Sequence, residues 1–362
     1  HFNSGIANLA FYLAAQGGTH PRGKSSINVP FVGMAAAMEI FHDAFTNYLA
    51  PGSQFVDARA ATVVAATAYP YDPNAATKVA LAWDAVGVPA LDNNAHPLDI
   101  STRADVGTGE GIMIAGFSNG SGGTKQVLLR GVGPRLASFG VPNALANPQI
   151  CLFSGSTVLA CNDNWGSAAS NPAVAAATAL VGAFSLADNS LDASMLYTLG
   201  TGQYTLQLSG VGGTTGNAMV EVYDTNPAAS PHLQNLSTRC LVTSANPAIA
   251  GVIVQGQAHK RLLIRAVGPT LANFGLSGAI TDPKIGIFVG GSLVLENDNW
   301  NNDPSVSAAT SQIGQWQLAS SSLDSAVVVA LPPGAFTVHV SGVNGSTGIC
   351  LVEIYEVNGA IQ

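Results

Sequence analysis

Apolar residues recur at helical spacing along residues 1–89 and at alternating spacing in short runs beyond them. In SGIANLAFYLAAQGG, Ile6, Leu9, Ala10 and Leu13 share one helical face. This predicts a helix over 4–16, stopped by Gly17-Gly18. A second is predicted over 35–49, where Ile40, Phe41, Ala44, Phe45 and Tyr48 keep the period and Pro51 ends it. A third runs over 53–68, with Ser53 as N-cap and Pro70 beyond its end. A fourth covers 74–86, with Val79, Trp83 and Val86 on one face. Pattern and stops together predict an α-helical bundle.

From Leu98 the texture changes. Runs such as GIMIAGFS, KQVLLRGV, STVLACN and QYTLQLSG are separated by Gly, Asn and Ser clusters, which predicts an antiparallel sandwich or barrel. The chain also matches itself. ISTRA (100–104) returns as LSTRC (236–240), and VLLRGVGPRLASFGV (127–141) returns as LLIRAVGPTLANFGL (262–276). NDNW returns at 297–300, SLDAS as SLDSA, and EVYD as EIYE. The predicted organisation is multidomain. A helical lobe spans 1–89, then come a linker (90–97), an all-β antiparallel sandwich (98–224), a second linker (225–234) and a second all-β antiparallel sandwich (235–357).

Composition narrows the function classes. Charged residues make up 9% of the 362 residues, far below the roughly one quarter usual in soluble domains. Gly, Ser, Thr and Asn supply polarity instead, a profile that suits a secreted, bacterial-type protein. The net charge of −8, with no basic run, argues against nucleic-acid binding. No apolar stretch has the length of a membrane span. No signal peptide is visible, so a targeting segment is expected upstream.

The four cysteines contain no C-x-x-C pair. Cys151 and Cys161 flank the turn SGST symmetrically, and their counterparts in the second copy are Gly286 and Glu296. Cys240 and Cys350 sit on the first and last strands of the second copy, and their counterparts in the first copy, Ala104 and Ala218, are both small, as expected if the two positions face each other. Disulfides Cys151–Cys161 and Cys240–Cys350 are expected, and with them an oxidising, extracellular setting. The alternative is four buried free thiols.

No complete catalytic set is present: H-E-x-x-H, G-x-S-x-G and a P-loop are all missing. Glu39 and His42 share a helix face, but such a pair is ordinarily a solvated edge. HFNSGIANLAFYLAAQGGTH, followed by EIFHDAFTNYLAPGSQFVDARAATVVAATAYP and VALAWDAVGVP, resembles the C-terminal helical region of thermolysin-like neutral metallopeptidases. The resemblance covers residues 1–89, and only the loop GTHPRGKSSINVPFVGM departs from it. It implies a two-lobed zinc metalloendopeptidase whose H-E-x-x-H and third ligand lie N-terminal to this region. It maps His1 onto the histidine that donates a hydrogen bond to the oxyanion of the tetrahedral intermediate. A preorganised donor of that kind is worth about 3 kcal/mol. Asn3 and Ser4 would fix the turn that aims His1, and Gly5 would let backbones approach. The implied substrates are proteins and peptides, and the implied partner is the upstream peptidase lobe. The chain alone is expected to be inactive.

Each β-repeat resembles the bacterial pre-peptidase C-terminal domain, through LFSGSTVLACNDNW and MVEVYD and their second copies. Asp163, Asp192, Asp298 and Asp324 are candidate calcium ligands, because carboxylates on loops suit that hard cation. The other reading of NDN is Asx-turn chemistry. Arg130 and Arg265 lie inside apolar strands and need buried partners, for which Asp192 and Asp324 are candidates. Trp165 and Trp300 either stack on a polysaccharide or matrix ligand or cover the sandwich core, and the second is favoured. The rival class to a peptidase is a non-enzymatic adhesion or sorting module.

Overall fold

The computed structural model describes residues 4–49, 53–92, 96–97, 99–120, 122–227 and 230–358. Its first part is a bundle of α1 (Ser4–Gln16), α2 (Met34–Asn47), α3 (Phe55–Ala68) and α4 (Ala75–Ala85). Buried alanines at 10, 14, 36, 44, 61, 65 and 82 let the helices approach closely. Trp83 fills their centre, fully buried, with its indole N–H donating to Thr62 Oγ1 at 2.8 Å. Gly17 stops α1 at φ 75°, and a Cβ there would sit 2.9 Å from the Val29 carbonyl oxygen. At α3 the N-cap is Gln54, one residue past the expected Ser53. The Asp57 carboxylate accepts the Gln54 backbone N–H at 2.8 Å and so fixes the helix start.

A two-residue strand β1 (His96–Pro97) leads into the β-region. The first repeat holds β2 (Asp99–Val106), β3 (Met113–Asn119), β4 (Lys125–Val132), α5 (Pro134–Ser138), β5 (Pro148–Ser154) and β6 (Thr157–Asn162). It continues with α6 (Pro172–Leu180), β7 (Ala193–Leu199), β8 (Gly202–Gly210) and β9 (Gly216–Asp224). The second repeat holds β10 (Leu233–Val242), β11 (Ala248–Gln255), β12 (Lys260–Val267), β13 (Pro283–Val289) and β14 (Ser292–Asn297). It ends with α7 (Pro304–Gln312), β15 (Ser325–Leu331), β16 (Gly334–Gly342) and β17 (Gly348–Glu356).

Among the described residues the pairings between these strands are antiparallel, and they cross the repeat boundary. One layer runs β6-β5-β8-β3-β10-β17-β12-β15. The other runs β14-β13-β16-β11-β2-β9-β4-β7. The first strand of each repeat therefore extends a sheet of the other. The exchange is isologous, as a two-fold relation requires: Arg103 faces Ile249, and the equivalent Arg239 faces Ile114. On this pseudo-axis the equivalent hydroxyls of Thr102 and Thr238 meet at 2.8 Å. One apolar cluster fills the space between the layers, with Met113, Leu129, Ile150 and Leu206 from one repeat and Ile264, Ile285, Val338 and Cys350 from the other.

The strands β4 and β12 are buried on both faces, so alternation is lost in VLLRGV and LLIRAV. Their outer faces carry separate clusters, Leu128 with Trp165 and Val174, and Leu263 with Trp300 and Val306. The helical bundle docks on the second repeat, although the first follows it in the chain. Asp57 pairs with Arg261, the two side chains being 0% and 1% exposed. Gln54 Nε2 donates to the Val328 carbonyl at 3.2 Å, and the Asp92 N–H donates to the His259 carbonyl at 2.8 Å.

Candidate functional site

His1 and Asn3, the centre of the expected catalytic turn, lie outside the described residues. α1 begins immediately after them, at Ser4. Gly5 does not have the close neighbour expected of it: among the described residues, nothing lies within 4 Å of a Cβ placed there. Two residues further on, Ala7 borders a groove of about 590 Å³ with Phe45, Leu49, Gln54, Phe55 and Ala58. Elsewhere in the helical part Tyr12, Phe31, Met34, Met38 and Tyr48 are exposed, as is Phe45 at the groove. Met34, Met38 and Phe45 put this apolar character on one side of α2. Glu39 and His42 are exposed on the same helix.

Among the described residues, no group of three or more His, Cys, Asp or Glu is gathered so as to hold a metal ion. Asp163 and Asp298 are exposed on their loops, whereas Asp192 and Asp324 are fully buried. Asp192 Oδ1 accepts the backbone N–H groups of Gly133 and Arg135 at 2.9 and 3.2 Å, and Oδ2 accepts Ser190 Oγ–H at 2.8 Å. Asp324 does the same for the Gly268 and Thr270 N–H groups and the Ser322 hydroxyl, with the Thr270 hydroxyl added. These protein donors take the oxygens a calcium ion would need. The repeated SLD thus caps the repeated V-G-P turn.

The pairing of Arg130 and Arg265 with these aspartates is also corrected. Arg130 Nε lies 3.1 Å from Glu221 Oε2, and Arg265 Nε donates to Glu353 Oε2 at 2.8 Å. The hydroxyls of Tyr223 and Tyr355 donate to the other carboxylate oxygens. Burial raises the Glu221 pKa, with the Arg130 charge and then the Tyr223 hydroxyl acting against it. The register explains the partner: Arg130 stands opposite Glu221 across β4–β9, and Arg265 stands opposite Glu353 across β12–β17. A sequence signal was available, since EVYD and EIYE repeat an acid inside an apolar strand.

NDN follows the Asx-turn reading. Asn162 Oδ1 accepts the Ser194 N–H while its Nδ2 donates to the Asn164 carbonyl, and Asn297 repeats both bonds. Trp165 and Trp300 are each 5% exposed, with their indole N–H groups bonded to Ala187 O and Ser322 Oγ. Both cover core clusters, so neither is placed to stack on a sugar.

Cys151 and Cys161 form a disulfide across the β5–β6 hairpin. Cys240 and Cys350 stand opposite each other on β10 and β17, as their spacing implies, but they are free thiols. The expected second bridge is therefore corrected: both sulfurs act as small apolar groups inside the shared core. Burial pushes the Cys240 thiol up to about 12 and the Cys350 thiol well above its ordinary value, which keeps both protonated.

Residues 1–88 match the family described as thermolysin metallopeptidase, alpha-helical domain. Bacillolysin of Brevibacillus brevis is 40% identical over 89 residues, which is 24% of this chain and 16% of that protein. Thermolysin of Alicyclobacillus acidocaldarius subsp. acidocaldarius shows the same identity and coverage. Neutral protease NprE of Bacillus pumilus is 35% identical over 88 residues, 24% of each chain. The chain thus spans between about a sixth and a quarter of these relatives' length. A solved structure of the tandem CBM51 modules of Sp3GH98, the family 98 glycoside hydrolase from Streptococcus pneumoniae SP3-BS71, aligns over 68% of this chain and 81% of that one. Its TM-score of 0.20 and 8% identity carry no argument.

Proposed function

We propose that this chain is the C-terminal portion of a secreted zinc metalloendopeptidase, with its two β-repeats as accessory units for substrate binding, secretion or stability. The reading is carried by the match of residues 1–88 to the thermolysin helical domain. The exposed apolar side of α2 supports it, because an apolar surface of that kind suits a covering lobe. In this reading the zinc and its ligands belong to the lobe that precedes the helical domain in thermolysin-like peptidases; no group of three or more His, Cys, Asp or Glu is gathered among the described residues. His1 would donate a hydrogen bond to the carbonyl oxygen of the scissile peptide as negative charge develops there. No helix among the described residues is long and apolar enough to cross a membrane.

The test is reconstitution. Residues 1–362 are fused behind the zinc-bearing part of the Brevibacillus brevis bacillolysin, and casein hydrolysis is followed. The fusion should be active and chelator-sensitive, and His1→Ala should lower kcat by about 10²–10³-fold. Zinc-dependent hydrolysis by residues 1–362 alone would overturn the reading, as would a His1→Ala fusion of undiminished rate.

A further inference from the structure

At the seam between the repeats lies a cavity of about 450 Å³, within the range of about 300–1,000 Å³ common to small-molecule sites. Glu110, on the turn between β2 and β3 of the first repeat, closes one side. Arg239 on β10 meets it, Nη1 to Oε2, at 3.0 Å. Leu271 and Leu351 contribute apolar wall, and Phe274 and Trp316 present two aromatic rings. These rings pack edge to face, with centroids 5.1 Å apart.

The aromatic pair is held in place before any ligand arrives. The Arg265 guanidinium stands 4.4 Å from the Trp316 ring centroid, and its Nη1 donates to the Trp316 carbonyl at 2.8 Å. Phe274 is 63% exposed and lines the cavity, so its ring is open to a ligand. The first repeat serves as an internal control. Its equivalent pair, Phe139 and Phe184, keeps the edge-to-face geometry at 5.2 Å. There, however, Arg135 lies 4.7 Å over the Phe139 ring and occupies one of its faces. The second repeat has Thr270 at that position, turned inward to Asp324, so Phe274 carries no such cover.

We infer that this seam cavity is a binding site for a neutral saccharide. The cavity pairs one positive with one negative group, so a ligand of net charge would leave one of them opposed. A sugar ring offers an apolar C–H face to Phe274 and Trp316 and hydroxyls to the rim. The ion pair retains capacity for those hydroxyls, since it is open to the cavity mouth: the Arg239 side chain is 25% exposed and that of Glu110 64% exposed. Both repeats contribute, so the site exists only in the tandem. The assignment is independent of the peptidase reading.

The test is native affinity electrophoresis of residues 1–362 in gels carrying hydroxyethylcellulose, glycol chitin or xylan, with casein as the peptide control. At least one polysaccharide should retard the chain and casein should not. Phe274→Ala should weaken that retardation by about tenfold or more, and Glu110→Gln should weaken it in the same gel. Both residues are exposed, so unchanged melting temperatures confirm intact variants. Phe139→Ala in the first repeat should retain full binding. Absence of retardation by all three polysaccharides, retention in Phe274→Ala, equal loss in Phe139→Ala, or retardation by casein would each overturn the proposal.

Discussion

The two β-repeats share their central buried polar networks and differ at several contacts with their surroundings. Both hold an Arg–Glu–Tyr network inside a sheet, Arg130–Glu221–Tyr223 and Arg265–Glu353–Tyr355. Both use a buried aspartate to cap the V-G-P turn. Three of the differences stand out. Gln126 in the first repeat becomes Arg261 in the second, where the helical lobe docks. Arg135 becomes Thr270, where the seam cavity opens. Cys151 and Cys161 become Gly286 and Glu296, and Glu296 instead pairs with Lys284 at 3.2 Å. What is duplicated holds the fold, and what has diverged marks a contact. In a tandem of this kind, the asymmetry is the place to look for function.

The largest test of that division is to break the shared network. Glu221→Ala and Glu353→Ala each leave a fully buried guanidinium without its carboxylate, at a cost of about 3–5 kcal/mol. Because one core spans both repeats, each variant should lower a single common unfolding transition in urea, monitored by tryptophan fluorescence. Two separate transitions, with only one shifted, would show that the repeats unfold independently. Next comes the docking contact. Arg261→Gln gives the second repeat the residue of the first and leaves Asp57 buried beside a neutral partner. The expected loss is about 3 kcal/mol. It should be read as faster limited proteolysis between residues 86 and 99. Proteolysis at the wild-type rate would mean that apolar contact alone holds the lobe.

The same contrast explains what could be read from the sequence. The helices were legible because their apolar period is strong and their stops are Gly and Pro. The α3 start moved by one residue because the side chain of Asp57, three positions inside, decides it. The repeat was legible as repeated text, but the exchange of β2 and β10 between sheets was not. Strand partners depend on contacts that periodicity does not encode. Asp192 and Asp324 were singled out as acids on loops, a pattern that cannot separate a cation ligand from an acceptor for backbone N–H groups. The buried glutamates are not legible as partners of the arginines, because Glu221 and Glu353 sit within apolar strands and only the cross-strand register pairs them. The seam cavity needed Glu110 and Arg239 brought together from two repeats, and no local motif joins them.

A smaller effect sharpens the hairpin difference. Cys161→Ser opens the β5–β6 bridge and should cost about 2 kcal/mol, since the hairpin loop it closes is short. The second repeat manages without the bridge, and its geometry disfavours one. A Cβ at Gly286 would lie 3.0 Å from the Phe288 ring and 3.2 Å from Leu293. Introducing Gly286→Cys with Glu296→Cys should therefore give no compensating gain in melting temperature. A gain equal to the loss in Cys161→Ser would mean the two hairpins are interchangeable.

The smallest effect concerns an acid that only the first repeat has. Asp99 stands at the start of β2 opposite Tyr223, at the position Asn235 holds in the second copy. It is 7% exposed, and burial, reinforced by the neighbouring Glu221, raises its pKa from 3.8 to about 7. Below about pH 4 the folded and unfolded chains both keep the proton. Between pH 4 and 7 only the folded chain keeps it, so this group's contribution to stability falls as pH rises and levels off above the folded value. A shift of that size bounds the effect at about 4 kcal/mol, and residual access to water brings it nearer to about 2 kcal/mol. Asp99→Asn, which copies the second repeat's amide, should flatten this slope. The variant should match wild type near pH 4 and melt higher at pH 8, measured by thermal unfolding at both values. An unchanged difference between variant and wild type across that range would mean that Asp99 is ionised in the folded chain, with water or a donor compensating its charge.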